Sequence, residues 1–527
     1  MPESLRTLVQ ALLRPECYDH DVERIALIET HISYVLLTGP YAYKIKKPLD
    51  LGFLDFRTLA LRRFYCIQEW RLNRRFAPDL YLSVVALTGS RDRPKINEAG
   101  PVLEYALKMR QFPQNALLST RIERGMLTVQ DIDACANRIA TFHQAAPTTG
   151  DAFDFGTAAS VYAPVAENFR QIVPLLADRL DAERVAALEA WTRTAYAGSR
   201  PILNARRRGG WIREGHGDLH AGNIALLNQG VVPFDCIEFN ESLRWIDVMN
   251  DLAFLVMDLI RLGQRAHATR LRNRYLMLTG DYEGLRVWRF YLVYRALVRA
   301  KIAFIRAGQA ATLPHRRSDE ALGRDYLRLA EQFIASMAPA LIVTHGLSGA
   351  GKTFVAEQLC ALLDAVQIRS DVERKRLFGL SPEVRTLSGL EAGLYGRPAT
   401  EKTYARLRAL AHMMLSEGFS VMVDAAFLKR SQREVFRQLA RDLTVPFVIL
   451  QVHAPAPRLH ARIAQRLAGA RDASEADRKV LEHQMQTREP LTPDEASDVI
   501  DVDNEGEPDW ERVGKAIMRR ISTPPGH

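Results

Sequence analysis

The chain has 527 residues, more than one ordinary core can use, and its 47% hydrophobic and 25% charged content is that of a globular protein with two or three domains. The most apolar stretch, Trp245 to Ile260, is broken by Asp247, Asp251 and Asp258, and MPESLRTLVQALLRPE lacks a secretory apolar segment, so neither a membrane span nor a signal peptide is expected. The net charge of +9 suits anionic partners, and five scattered cysteines with no CxxC pair argue against a disulfide framework or zinc site and fit a reducing cytoplasm.

In chain order, residues 30 to 47 read as a β-hairpin, with Gly39-Pro40 at the turn. Residues 58 to 77 carry helical periodicity through Leu61, Phe64, Tyr65, Ile67, Trp70 and Leu72, and Pro78 ends that helix. Strand-like runs follow at Leu80 to Leu87 and Val102 to Met109. From about residue 115 the pattern is helical, except for a strand-rich island from His216 to Phe239. A polar segment, Gly308 to Arg317, precedes a helix expected over 318–337. Then Ala340 to His345 opens a second pattern. Strands Val366 to Arg369, Phe419 to Val423 and Val445 to Val452 alternate with helices from Lys352, over 401–416 and over 430–441, which predicts a parallel α/β sheet. Residues 521–527 read as a disordered tail.

Two motifs carry phosphate chemistry. The first is His216-Gly-Asp218-Leu-His-Ala-Gly-Asn223, followed after a strand-like run by Phe234-Asp235. Phosphoryl transfer needs an aimed acceptor hydroxyl and a held metal. Asp218 can accept the hydroxyl proton, Asn223 and Asp235 offer oxygens suited to magnesium, and His216 is expected to orient the loop. HGDLHAGN, FDCIEF and WIDVMNDLAFLVMDL together resemble the aminoglycoside phosphotransferase family, a branch of the protein-kinase-like fold, over roughly residues 20 to 310. The resemblance implies Asp218 as base and Asn223 and Asp235 as metal ligands. It also implies a phosphate-binding lysine on the second hairpin strand, where Lys44 fits best and Lys46, on the same face, is the runner-up. Glu69 on the next helix is its expected partner, and Asp247 and Asp251 are expected to hydrogen-bond within the catalytic lobe. No GxGxxG loop precedes Lys44, and the acceptor-binding region matches nothing in the family, so an aminoglycoside substrate does not follow.

The second motif is Gly346-Leu-Ser348-Gly349-Ala350-Gly351-Lys352-Thr353, after an apolar strand and before a helix, the setting a Walker A loop requires. Its glycines let backbone N–H groups converge on phosphate at a helix N-terminus. Lys352 would hold the β- and γ-phosphates and Thr353 a magnesium ion. Asp371 and Arg374, after the second strand, are similar to the Asp-x-x-Arg pair of small P-loop kinases, polynucleotide 5′-kinases in particular, with Asp371 as base and Arg374 as its positioning partner. Asp424 ends a strand as a Walker B-like carboxylate. The Arg-rich stretch Arg458 to Arg488, with Arg462 and Arg466 one turn apart and Arg471 to Ser474 after them, looks like a lid.

The expected architecture is an α+β protein-kinase-like bilobal domain followed by an α/β P-loop domain with a parallel sheet. The first spans 1–335, with a small lobe over about 20–112, a large lobe over about 113–310 and the connecting helix. The second spans 338–520. The whole resembles a bacterial fusion of an aminoglycoside phosphotransferase-like domain with a P-loop kinase-like domain. The expected activity is ATP- and Mg²⁺-dependent phosphorylation of hydroxyl groups on small molecules. For the C-terminal half a nucleic-acid 5′-hydroxyl is the other expected acceptor, though no recognition motif supports nucleic acid. The alternative is that one half is a nucleotide-binding regulator of the other.

Overall fold

The structure, a computed structural model, describes residues 3–522 except 51, 53, 151–152, 177, 311, 336–337, 382–383, 385–395, 470–473 and 475. The chain forms two compact units, neither continuous in sequence. One comprises Met1–Asp258 and Tyr294–Leu327, the other Leu259–Val293 and Arg328–His527.

In the first unit, α1 (Glu3–Ala11) precedes β1 (Ala26–Glu29), β2 (Ser33–Leu37) and β3 (Tyr41–Lys46). Then come α2 (Leu59–Asn73), β4 (Tyr81–Ser90), β5 (Arg93–Ile96) and β6 (Val102–Arg110). The strands form one antiparallel sheet in the order β1-β2-β3-β6-β4-β5. Strand alternation decides which side chains meet α2. Tyr43 and Ile45 join Leu5, Leu8 and Leu12 of the N-terminal segment in one core. Ala42, Lys44 and Lys46 therefore face the other way.

The helical lobe follows: α3 (Leu118–Glu123), α4 (Val129–Ala145), α5 (Ala158–Ile172) and α6 (Arg179–Arg208). Two short antiparallel ladders come after it. β7 (Ile212–Glu214) pairs with β10 (Trp245–Asp247), and β8 (Ile224–Leu227) pairs with β9 (Gly230–Pro233). Of these, only β8–β9 lies inside the expected strand-rich island of 216–239, and β7–β10 flanks it. Next in the chain are α7 (Val248–Arg261), α8 (Arg265–Thr279), which belongs to the other unit, α9 (Trp288–Gln309) and α10 (Leu313–Ile334). The polar segment at 308–317 is thus largely helical. Pro314 falls in the first turn of α10, where a missing N–H loses no helical bond.

The second unit is a parallel sheet in the order β12-β13-β11-β14-β15. Its strands are β11 (Leu341–His345), β12 (Val366–Arg369), β13 (Val421–Asp424), β14 (Phe447–His453) and β15 (Val499–Asp503). The connecting helices are α11 (Lys352–Leu363), α12 (Ser370–Leu377), α13 (Arg397–Ser416), α14 (Arg430–Asp442), α15 (Ala456–Gly469), α16 (Arg478–Thr487) and α17 (Trp510–Ser522). Helix α17 extends through Ser522, and the rest of the expected tail lies outside the described residues. Ile342, Met422, Val448 and Leu450 of the sheet pack with Val355, Leu359 and Ile517 of α11 and α17.

Segment 259–293 is built into this unit. Arg272 of α8 is 2.9 Å from the Asp364 carboxylate and also donates to the carbonyls of Asp364 and Ala365. Asn273 donates to the Ala365 carbonyl at 2.9 Å, and Arg376 of α12 reaches back to the Met277 carbonyl at 2.6 Å. Among the described residues, no helix is long and apolar enough to cross a membrane.

Candidate functional site

The HGDLHAGN loop is held by backbone hydrogen bonds to buried carboxylates. The fully buried Asp251 of α7 accepts the N–H groups of His216 at 2.7 Å and Gly217 at 3.0 Å, and His143 Nε2 lies 3.3 Å away. Burial pushes the Asp251 pKa up, but the bonds and charges of His143 and His216 outweigh it and hold the group at about 2. Asp258, two turns on, accepts the N–H of Ala221 at 3.1 Å. Asp247 instead forms a buried two-point pair with Arg206 at 2.6 and 2.7 Å and caps α7 through Met249 N–H. His216 Nε2 donates to the Phe234 carbonyl at 2.9 Å while its Nδ1 accepts the Asp218 N–H at 3.2 Å, so the ring is neutral and ties the loop to β9. Burial lowers its pKa accordingly.

Asp218 is fixed on one edge. Asn223 Nδ2 donates to Asp218 Oδ2 at 3.0 Å, which turns the Asn223 carbonyl oxygen away from the carboxylate. His220 accepts the Gly222 N–H at Nδ1, so its Nε2 carries a proton, 3.5 Å from the same Oδ2. Burial opposes ionisation of Asp218, yet His220, Arg299 and His216 hold its pKa well below the usual carboxylate range. At pH 7 it is an anion that can accept a hydrogen bond.

The sheet brings the other candidates together. Lys44 Nζ is 2.7 Å from Glu69 Oε1 and 2.5 Å from Asp235 Oδ1. Lys46 shares the face, as expected, but bonds Glu69 Oε2 at 2.6 Å and also Glu238. Burial lowers the pKa of Lys44, but Asp235 and Glu69 more than offset it, keeping the ammonium charged. Burial likewise raises that of Glu69, and the two lysines bring it to about 2. Asp235 sits at φ +61°, a conformation uncommon outside glycine, and its N–H bonds the Tyr81 hydroxyl at 2.9 Å. Its carboxylate, 42% exposed, and the Asn223 carbonyl oxygen are hard donors that fit magnesium.

In the P-loop unit, Gly346 (φ +155°), Gly349 (φ +82°) and Gly351 (φ +88°) let the loop pass close to its supports. A Cβ on Gly346 would lie 2.3 Å from the Val452 carbonyl oxygen, and one on Gly351 2.1 Å from Asn504 Nδ2. Asn504 and Arg462 both brace the Ala350 carbonyl, at 2.7 and 3.3 Å. The Ser348 N–H bonds Gln484 Oε1 of α16 at 2.8 Å, and Lys352 Nζ bonds the Leu347 carbonyl at 2.9 Å. The Asp424 pKa is raised by burial against the pull of Arg369, Thr353 and Lys352, and its Oδ2 accepts from Gln367 Nε2 at 3.3 Å. Burial lowers the pKa of Lys352, opposed by the charges of Asp424 and Asp371. Arg374, on α12 with Asp371, donates to Thr400 Oγ1 at 3.2 Å. Of the expected lid, Arg462 contacts the P-loop backbone and Arg466 donates to the Ala476 carbonyl at 2.5 Å; residues 471–473 lie outside the described residues. The loop geometry fits a bound nucleoside triphosphate and magnesium.

A family model described as an AAA domain matches residues 341–491. Uncharacterized proteins of Mycobacterium tuberculosis (Rv2004c) and Mycobacterium bovis (Mb2027c) are each 30% identical over 446 residues, covering 85% of this chain and 87% of their own. This chain belongs to their family. It joins a unit built on a six-stranded antiparallel sheet to a unit with a five-stranded parallel sheet, within which the AAA domain match falls. Among solved structures, a choline/ethanolamine kinase family protein from Mesorhizobium loti is 11% identical, covers 62% of this chain and 99% of its own, and has a TM-score of 0.37. Chaetomium thermophilum Kti12 in complex with ADP-AlF3 is 20% identical over 35% of this chain and 100% of its own, at a TM-score of 0.28.

Several residues in these sites have no role in a motif. Tyr81, Asn504 and Gln484 act through side-chain contacts that join distant segments, whereas Glu238, His220 and Asp258 lie inside the FDCIEF, HGDLHAGN and WIDVMNDLAFLVMDL strings without a role those strings spell out. Only Asp258, an acid breaking an apolar helix, left a trace in the sequence.

Proposed function

We propose that this protein is a two-site phosphotransferase that moves the γ-phosphate of ATP to hydroxyl groups. The observation that carries the reading is the ion-paired set Lys44–Glu69–Asp235, in the same unit as a loop that presents Asp218 and Asn223. Lys44 is suited to hold phosphate, as its charge is secured on both sides. Asp235 and the Asn223 carbonyl oxygen would hold magnesium, which when bound screens the phosphate charge. Asp218 Oδ1 accepts the proton of the acceptor hydroxyl as its oxygen attacks the γ-phosphorus, and ADP leaves. His216 and Asp251 keep the loop in register.

In the second unit the loop amides and Lys352 would hold the phosphates, and Thr353 and Asp424 would hold magnesium. Asp371 serves as base and Arg374 positions the acceptor. A small-molecule alcohol is the acceptor class for the first unit. For the second, a small molecule or a nucleic-acid 5′-hydroxyl fits.

The test is ADP release across a panel of metabolites bearing hydroxyl groups, comparing the wild type with Asp218→Asn and Lys352→Ala. Each substitution is expected to abolish turnover of a different set of acceptors. If neither changes any turnover, the two-site reading is wrong. If only one does, the other half binds nucleotide without transferring phosphate.

A further inference from the structure

The proposed kinase-type site asks two things of Lys44. It must ion-pair with Glu69, and it must reach phosphate. A phosphate ligand competes with Glu69 and Asp235 for the same three N–H bonds. Glu69 is buried, with a side chain 1% exposed, so it needs a countercharge whichever way Lys44 turns.

That countercharge is present. Lys46, two residues along β3 on the same face, bonds the other Glu69 oxygen at 2.6 Å and is itself 1% exposed. It also pairs with Glu238, 4% exposed, three residues after Asp235. Its ammonium lies 4.9 Å from the centre of the Phe56 ring, which closes the remaining side. The result is a buried chain of alternating charge, Glu238–Lys46–Glu69–Lys44. It ties α2 and β3 to the segment that carries Asp235.

We propose that Lys46 and Glu238 are positioning residues that keep Glu69 neutralised, and so keep Lys44 available to the nucleotide phosphates. This rests on the kinase-type reading of the first unit. Removing Lys46 alone leaves Glu69 and Glu238 buried against one lysine, which would draw Lys44 away from phosphate and destabilise the lobe. Removing Lys46 and Glu238 together deletes a cation and an anion at once, so the fold should be recovered while the hold on Lys44 is not.

The experiment titrates the full chain, carrying Lys352→Ala to silence the P-loop, with the non-hydrolysable analogue AMPPNP plus magnesium, and separately with adenosine. In this background Lys46→Met/Glu238→Gln is expected to weaken AMPPNP binding by about tenfold or more, the scale of one lost charge-assisted contact. Adenosine, which has no phosphate, should bind as before, and Lys46→Arg should restore part of the loss. Unchanged AMPPNP affinity in the double variant would overturn the proposal. So would equal loss of AMPPNP and adenosine, which marks a merely structural role. Lys44→Met and Asp235→Asn separate the two levels of the argument. If they weaken AMPPNP and the double variant does not, only the positioning role falls. If they too change nothing, the kinase-type site falls with it.

Discussion

Replacing Asp251 with asparagine tests how the HGDLHAGN loop is held. Asp251 takes two backbone N–H bonds, from His216 and Gly217, in a fully buried place. Asparagine keeps one acceptor oxygen and turns an NH2 group toward the other N–H, so one charge-assisted bond is lost, about 1.5–3 kcal/mol. The depressed pKa expresses the same contacts on another scale. The carboxyl is held at about 2 from an ordinary 3.8. By linkage that difference contributes about 2–3 kcal/mol at neutral pH. The two figures agree. Because the folded-state pKa is depressed, this stability is complete above the ordinary carboxyl range and drains away as pH falls through 4 toward 2. The assay is amide exchange of the peptide spanning 212–223, measured against pH in wild type and Asp251→Asn. Protection should differ by about 2–3 kcal/mol at pH 7, and the gap should narrow steadily below pH 4. A gap that is absent at pH 7, or that keeps its size down to pH 3, would refute the claim that an ionised Asp251 anchors the loop.

Other expectations are simpler. Asp218→Asn should lower kcat of the first site by about 10²–10⁴-fold, with little change in unfolding midpoint, as read from ADP release and urea titration. Gly346→Ala places a Cβ 2.3 Å from the Val452 carbonyl oxygen, so ADP should no longer raise the melting temperature of the P-loop unit. Gly215→Ala puts a Cβ 2.8 Å from Asp251 Oδ2 and should loosen the same 212–223 peptide in exchange measurements. Arg272→Met removes an ion pair and two carbonyl contacts from a side chain 4% exposed, and should cost the P-loop unit about 2 kcal/mol in denaturant unfolding.

What the sequence made legible follows from the range of the interactions. The Walker loop is local: glycines, Lys352 and Thr353 are contiguous because one turn must wrap one phosphate group, so the string carries the geometry. The HGDLHAGN loop is local too, and its Asp218–Asn223 bond closes within five residues. Strand alternation placed Lys44 and Lys46 on one face. It could not divide their tasks, since that depends on Glu238, 192 residues from Lys46. Asp251 was suspected because an acid in an apolar helix must find partners, but nothing local says that those partners are the N–H groups of His216 and Gly217. Asn504 and Gln484 were invisible for the same reason: each is an ordinary polar residue until the sheet brings it to the loop.

The membership of segment 259–293 in the P-loop unit has a consequence for how the chain is made. A ribosome releases α8 well before the strand it completes, for Arg272 and its carbonyl partner at Ala365 are 93 residues apart. Until that strand emerges, α8 lacks the rest of its own unit while Tyr294–Leu327 of the first unit is still being synthesised. The buried faces of Leu271, Tyr275 and Leu276 are then without their cover. Nascent chains stalled between residues 300 and 340 should therefore be more prone to aggregation or chaperone capture than those stalled beyond 425.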